Sequence, residues 1–220
     1  MMPNLTQTLR LALALSLCAL AVPSTVRAAT NVVPNPGFEE TMCSNDALPC
    51  AWHPAEGDMG VSTWQPHSGG ANLWVWSWSY DSALAVSDCV PLGPGGYAAS
   101  FWHRETNRDP YWGVSFVGLG ATFYPKARCG GSGSPSVLAG GFSPIGDGLW
   151  YPELGYFEPP VGTVSVKFDL EMNGWCDGGC FGVGAEFDDV VVESSADAPR
   201  RVLVPQPAAR LSTASSVSAS

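Results

Sequence analysis

The sequence predicts an all-β fold, an antiparallel β-sandwich of the jelly-roll type, and three observations carry this prediction. Residues 163–172 alternate between polar and apolar side chains, which is typical of a strand with one face on a core. Glycine (25 residues) and proline (19 residues) are frequent and separate such segments, as turns between short strands require. No long stretch shows the 3.6-residue period of an amphipathic helix. Short strands with Gly/Pro turns are typical of two sheets packed face to face.

The first element, residues 1–28, is predicted to be a secretory signal peptide. Arg10 gives it a positive start, residues 11–22 form an apolar segment, and Ala28 ends a cleavage site of small residues. The apolar segment is shorter than the roughly 20 residues that a membrane helix needs. We therefore expect a secreted protein, extracellular or periplasmic, that is cleaved near Ala28 and has no membrane anchor.

Six cysteines follow the predicted signal peptide: Cys43, Cys50, Cys89, Cys129, Cys176 and Cys180. An even number of cysteines in an exported chain predicts disulfides, although six cysteines allow 15 pairings. Proximity in the sequence favours the links Cys43–Cys50 and Cys176–Cys180, which leaves Cys89–Cys129 to join two central segments. A metal site at Cys176 and Cys180 is the alternative, but the chain has only three histidines to complete it.

The sandwich domain is predicted to span residues 29–193. In the alternating segment, the apolar side chains expected to face the core are Val164, Val166, Phe168, Leu170 and Met172. Three further segments rich in aromatic or β-branched residues are predicted as strands: 97–103, 112–119 and 187–193. Residues 130–148 are rich in glycine and serine and are predicted to be a loop. Residues 194–220 show no alternation and are predicted to be a flexible Ser/Ala/Pro-rich tail.

The charge and the motif content exclude several functions. The net charge is −10, and it becomes −12 without residues 1–28, because that segment holds two arginines and no acidic residue. An acidic surface is unsuited to nucleic acid and to anionic membranes. The sequence has no nucleophile elbow, zinc-protease motif or P-loop, and its histidines lie far apart. We therefore expect no catalytic residues and no enzymatic activity, at most an accessory role beside a glycoside hydrolase.

Four short motifs follow one another in a recognisable order: residues 35–40 (NPGFEE), 67–73 (HSGGANL), 89–97 (CVPLGPGGY) and 187–192 (FDDVVV). Their order and spacing resemble those of galactose-binding-like jelly rolls. The closest resemblance is to the secreted carbohydrate-binding modules of bacterial cellulases and xylanases. It implies the same sandwich fold and non-catalytic binding of carbohydrate.

The resemblance also implies a structural Ca²⁺ where the first and last strands meet. Glu39 and Asp188 match the acidic positions of those modules, and the Gly37 carbonyl matches a backbone ligand; Asp189 replaces Asp188 if the strand register differs. Oxygen ligands of this kind are those that Ca²⁺ prefers. In the alternative interpretation, these carboxylates only lie at strand ends.

An aromatic run, Trp74, Trp76, Trp78 and Tyr80, is the candidate ligand site. Positions two apart in a strand share a face, so these rings line one side about 7 Å apart. Flat indoles can stack on sugar rings, and the acidic charge favours a neutral polysaccharide or glycan. Trp175 is a second candidate platform.

Two other roles for the aromatic run stay open. The rings can pack in the core, since tryptophan is mostly buried on average. They can also contact a protein partner, as in an extracellular structural or adhesive protein with a Trp-rich face. The exposure of the three tryptophans separates the core role from the two binding roles.

Overall fold

Eleven β-strands make up most of the described part of this computed structural model, which covers residues 30–41, 43, 48–78, 82–105, 112–141, 147–176 and 182–195. The strands are β1 (Trp52–Glu56), β2 (Asp58–Ser62), β3 (Asn72–Ser77), β4 (Ser82–Ser87), β5 (Val90–Pro91), β6 (Tyr97–Glu105), β7 (Trp112–Tyr124), β8 (Ser134–Gly141), β9 (Tyr151–Phe157), β10 (Ser165–Cys176) and β11 (Val183–Ser194). The predicted signal peptide, residues 196–220 of the predicted tail, Tyr80 and Cys180 lie outside the described residues.

The strands pair into two antiparallel sheets. Sheet A has the order β1-β4-β10-β7-β8, with β5 also paired to β10, and sheet B has the order β2-β3-β11-β6-β9. The only helical element among the described residues is a short 3₁₀ turn, Ala127–Cys129, and no described helix is long and apolar enough to cross a membrane. The predicted all-β jelly-roll sandwich is confirmed.

Alternating side chains of β10 form the centre of the core, as the sequence predicts. Val166, Phe168, Leu170 and Met172 are all fully buried between the sheets. Burying each of them stabilises the fold by about 1.5–3 kcal/mol. Val164 is an exception to the prediction, because it precedes the first residue of β10 and is exposed.

Sheet B supplies the other half of the core from the inner faces of its strands. Phe101 on β6 and Phe187 on β11 are fully buried, with ring centroids 5.8 Å apart. Leu73 and Val75 on β3 point into the same core. The residues that alternate with these four therefore lie on the outer face of sheet B.

Two disulfides tie loops to this sandwich. Cys43 is bonded to Cys50 before β1, and Cys89, just after β4, is bonded to Cys129 in the 3₁₀ turn. Both links are those predicted from the sequence. The third predicted pair, Cys176–Cys180, involves a residue outside the described part of the chain and stays a prediction.

The predicted loop at 130–148 is partly wrong, because β8 occupies its middle. This strand lies at the edge of sheet A and pairs along β7, and it buries Leu138 and Ala139. Glycine and serine flank these two residues and obscure the strand pattern in the sequence. Glycine and serine have low strand propensity, so the sequence does not predict a strand here. The strand forms because its backbone hydrogen-bonds along the 13-residue β7.

Candidate functional site

The tryptophans of β3 lie on the outer face of sheet B. Leu73 and Val75 are buried, whereas Trp74 and Trp76 are half-buried on the opposite side of the strand. Trp78, just beyond the end of β3, is 65% exposed. These three tryptophans therefore do not pack between the two sheets, and Tyr80 lies outside the described residues.

Glycines on the neighbouring strands let two of these indoles lie flat against the sheet. Trp74 is paired with Gly60 on β2, and Trp76 is paired with Gly184 on β11. A Cβ atom at Gly60 would lie 2.8 Å from the Trp74 ring, and one at Gly184 would lie 2.3 Å from the Trp76 ring. The rings thus cover glycine backbone, a packing that only a residue without a side chain permits.

Trp78 extends the aromatic surface beyond the end of the strand. Its ring meets that of Trp76 edge-on, with centroids 5.6 Å apart and planes inclined by 63°. Its Nε1 donates a hydrogen bond of 2.5 Å to Oδ2 of Asp58 on β2. These two contacts orient an otherwise exposed indole.

A second aromatic group on the same outer face surrounds Arg104 of β6. The guanidinium carbon lies 4.7 Å from the ring centroid of Trp64 and 4.8 Å from that of Trp150. Both distances are within the range of cation–π attraction. Arg104 is only 1% exposed, whereas Trp64 is 56% exposed.

The charge of Arg104 is balanced by Glu186, its partner on β11. Nε of Arg104 donates a hydrogen bond to Oε2 of Glu186, and both side chains are buried. Burial raises the pKa of the Glu186 carboxyl, while the hydrogen bond and charge of Arg104 and a hydrogen bond from Ser62 act in the opposite direction. The ion pair of Arg104 and Glu186 carries no net charge.

The β2–β3 loop, residues 63–71, carries Trp64 and is held against sheet B by His67 and Ser68. The His67 ring stacks on Trp102 of β6, and its Nδ1 lies 2.6 Å from Oδ2 of Asp189. The Ser68 hydroxyl donates to the other Asp189 oxygen, and the backbone N–H groups of both residues donate to Oδ2 of Asp188. The loop is therefore fixed to β6 and β11.

Adjacent carboxylates reach the same loop because β11 contains a bulge. The register with β6 shifts between Asp188 and Val191, and Asp189 has a φ of 48°. Neighbouring residues in a regular strand point to opposite faces. The bulge instead turns both Asp188 and Asp189 towards His67 and Ser68.

The three residues of the predicted calcium site do lie near one another. A Cβ atom at Gly37 would lie 3.8 Å from Glu39 and 3.9 Å from Oδ1 of Asp188. However, Oε1 of Glu39 accepts the backbone N–H of Gly70, and both Asp188 oxygens accept backbone N–H groups.

This arrangement fits a cation only in part. Burial raises the pKa of Asp188 to about 6, and the hydrogen bonds that its carboxylate accepts lower it less. In the part of the chain that the structure describes, no three His, Cys, Asp or Glu side chains are grouped to hold a metal ion. Calcium therefore stays a prediction.

Trp175, the other predicted ligand residue, belongs to the opposite sheet. It lies on β10, where its backbone pairs with Gly113 of β7 in sheet A. Its backbone therefore lies in the sheet opposite the one that carries Trp74 and Trp76. Its predicted role stays a prediction.

Sequence reasoning did not find the group around Arg104. Trp64 carries no local pattern, since it lies in a loop, and Trp150 precedes an edge strand. A usable signal was Arg104 itself, an arginine that continues a strongly apolar strand and therefore needs a buried acidic partner. Glu186, two residues before Asp188, supplies that partner.

Solved structures of carbohydrate-binding modules share this architecture. The CBM22-1 xylan-binding domain from Paenibacillus barcinonensis Xyn10C aligns over 73% of this chain and 93% of its own, with a TM-score of 0.52 and 13% identity. The tandem CBM22-1–CBM22-2 domain of the same protein gives a TM-score of 0.55 and 14% identity over 79% of this chain and 51% of its own. The chain has the β-sandwich fold of these carbohydrate-binding modules.

This module-like chain also resembles part of a larger protein. The CBM22-1–GH10 modules of a Clostridium thermocellum xylanase, solved with xylohexaose, give a TM-score of 0.50 and 16% identity over 66% of this chain. The chain spans about a quarter (26%) of that structure. The sequence matches no protein-family model and no curated protein. At these identities the likeness establishes the fold of the module-like domain.

Proposed function

We propose that this protein binds a neutral polysaccharide or glycan, without catalysis, on the outer face of sheet B. The observation that carries the proposal is the exposure of two indoles on that face, Trp64 at 56% and Trp78 at 65%. Exposed apolar side chains grouped on one face mark a surface for ligand or partner binding. The half-buried rings of Trp74 and Trp76 extend the same surface.

The polar groups around these rings suit a neutral sugar. Asp58 and Gln65 are exposed beside Trp78 and Trp64, and both can hydrogen-bond sugar hydroxyls. The guanidinium of Arg104 is already paired with Glu186, so it offers no free positive charge to an acidic sugar. Stacking on the rings therefore supplies the affinity, and hydroxyl contacts supply the orientation.

The related structures support this class of ligand. One is described as a xylan-binding domain and another was solved with xylohexaose. Xylohexaose is a neutral oligosaccharide, in agreement with the charge argument. We extend the proposal to a protein that is exported, cleaved near Ala28 and released, and that carries Ca²⁺ at Glu39, Gly37 and Asp188.

A protein partner on the same face is the alternative, and one observation favours it. Leu149, which precedes β9, is 60% exposed, and Leu154, which lies on β9, is 62% exposed. Branched aliphatic side chains do not stack on sugar rings as indoles do, but they are common in contacts between proteins. An extracellular adhesive protein would use these leucines together with the tryptophans.

Affinity electrophoresis tests the proposal directly. Protein produced from the full sequence is run in gels containing xylan or β-1,4-galactan, beside Trp64→Ala, Trp78→Ala and the double variant. Val137→Ala is the matched control, since Val137 is exposed on sheet A. Near-UV circular dichroism first establishes that each variant is folded.

Retardation of the wild type and of Val137→Ala, with loss in the double tryptophan variant, supports sugar binding at this face. Equal retardation of all variants would move the site elsewhere. No retardation on any neutral polysaccharide would contradict the proposal. Leu149→Ser and Leu154→Ser, assayed by co-purification with candidate extracellular proteins, would then test the alternative.

A further inference from the structure

Arg104 is buried beneath the proposed sugar-binding face and has all its contacts within the protein. Its guanidinium carbon lies 4.7 Å from the ring centroid of Trp64 and 4.8 Å from that of Trp150. At 1% exposure, it is not accessible to a ligand. Its effect on binding must therefore act through the residues that it contacts.

The guanidinium of Arg104 contacts the backbone of the β2–β3 loop as well as the ring of Trp64. Nη2 donates a 2.7 Å hydrogen bond to the carbonyl oxygen of Trp64, and Nη1 lies 3.4 Å from Oε1 of Gln65. Nε1 of Trp150 donates to the carbonyl oxygen of Gln65 at 3.1 Å. The loop, the two indoles and the guanidinium are thus linked in one closed set of contacts.

Glu186 fixes the orientation of this set from below. It accepts the Nε–H of Arg104 and so fixes the position of the guanidinium beside the two rings. Lysine has a charge but no planar fork and no face for stacking. Only arginine can make the ion pair, the two ring contacts and the backbone hydrogen bond at once.

We infer that Arg104 is a positioning residue that holds Trp64 and Trp150 in the orientation needed for sugar stacking. The inference rests on the proposed function, because it assigns Arg104 a role in that same site. It predicts that Arg104→Lys weakens sugar binding as strongly as removal of the Trp64 ring, although Arg104 touches no sugar.

The first test does not need a ligand. The full chain is labelled with 5-fluorotryptophan, and the ¹⁹F resonances of Trp64 and Trp150 are assigned from Trp64→Phe and Trp150→Phe. Arg104→Lys is expected to shift or broaden these two resonances. The resonance of Trp52 is expected to stay unchanged, because this residue is buried at the start of β1 and its Nε1 donates a hydrogen bond to the carbonyl oxygen of Pro34. Arg128→Lys, an exposed arginine beyond β7, is expected to change none of them.

The second test measures affinity for soluble xylan by titration of the same proteins. Arg104→Lys is expected to lose about tenfold in affinity, the loss expected when one aromatic ring no longer stacks on the sugar, with Arg128→Lys unchanged. Unshifted Trp64 and Trp150 resonances would overturn the inference. Shifted resonances with affinity within twofold of the wild type would overturn it as well.

Two further results keep the tests decisive. If Arg104→Lys does not fold, Trp150→Leu removes the opposite ring and its bond to Gln65, and a shifted Trp64 resonance with weakened binding is the expected outcome. An unchanged Trp64 resonance there would contradict the inference. If the wild type binds no polysaccharide, both the proposed function and the binding role of Arg104 fail. The ¹⁹F spectrum then still shows separately whether Arg104 orders the rings of Trp64 and Trp150.

Discussion

The imidazole of His67 stacks on the indole of Trp102, with ring centroids 3.8 Å apart and planes inclined by 16°. The same imidazole lies edge-on to Trp150 at 5.8 Å and bonds Asp189 through Nδ1. One side chain thus connects the β2–β3 loop to β6, to β11 and to the second aromatic group. The position of Trp64 depends on this loop, so His67 contributes to the shape of the candidate site.

Removal of the His67 ring is expected to destabilise the protein and loosen the β2–β3 loop. We expect His67→Ala to lower the free energy of unfolding by about 1–2 kcal/mol, through loss of the aromatic pair and of the Asp189 contact. Urea unfolding measures the loss, and hydrogen exchange measures the protection of residues 63–71. The control is His53→Ala, an exposed histidine bonded to exposed Asp88, for which less than about 0.5 kcal/mol is expected. Equal losses in the two variants would contradict a special role for His67.

Calcium removal tests the predicted ion at Glu39, Gly37 and Asp188. A bound ion is expected to raise the Tm by mass action, and EGTA is expected to reverse this rise. Glu39→Gln should abolish the calcium dependence, while Glu40→Gln, an exposed neighbour, should keep it. Identical melting curves with calcium and with EGTA would leave Glu39 and Asp188 as anchors of the β2–β3 loop alone.

The fold was predictable from the sequence because its strands carry a clear period of two. The apolar residues of β10 alternate over most of the strand, and all four predicted inside it are buried. The outward position of Trp74 and Trp76 was not predictable. Leu73 and Val75 can fill a core as well as tryptophan can, and the choice depends on Gly60 and Gly184, which are distant in the sequence but adjacent in the sheet.

The Arg104 group shows the same limit more strongly. Its residues come from the β2–β3 loop, from β6, from the segment before β9 and from β11, and no local pattern links them. The bulge at Asp189 is a further case, because adjacent residues in a regular strand face opposite sides. A single residue with positive φ reverses that expectation.

Asp169 on the outer face of sheet A is expected to make stability depend on pH. Its carboxyl lies against the Gly120 backbone, and Lys167 and Glu171 flank it on β10. Its Oδ2 is shielded from solvent and has no hydrogen-bond partner among the described residues. Burial, and to a lesser extent the charge of Glu171, raises the pKa of Asp169 to about 7. The folded state therefore favours the protonated acid.

The sign follows from this raised pKa. The contribution of Asp169 to stability is complete below the ordinary aspartate pKa of about 4 and is lost as the pH rises through about 7. Between pH 4 and pH 8, Asp169→Asn is expected to lose up to about 4 kcal/mol less unfolding free energy than the wild type. Urea unfolding at several pH values measures this, with Glu56→Gln on exposed β1 as control. Parallel pH profiles for wild type and Asp169→Asn would refute the assignment.

The two disulfides are expected to contribute unequally to stability because they close loops of different length. Cys89–Cys129 spans 40 residues of sequence, and Cys43–Cys50 spans seven. On the chain-entropy model the longer loop contributes about 4 kcal/mol and the shorter about 2 kcal/mol. We therefore expect Cys89→Ala/Cys129→Ala to lower the urea midpoint about twice as much as Cys43→Ala/Cys50→Ala. The longer link also joins the segment after β4 to the 3₁₀ turn beyond β7, and β4 and β7 belong to sheet A, opposite the sheet that carries the aromatic face. Cys89→Ala/Cys129→Ala should therefore leave sugar affinity unchanged while it remains folded. A larger loss from the shorter link would show that native contacts of Cys50, which is buried, outweigh the constraint on the unfolded chain.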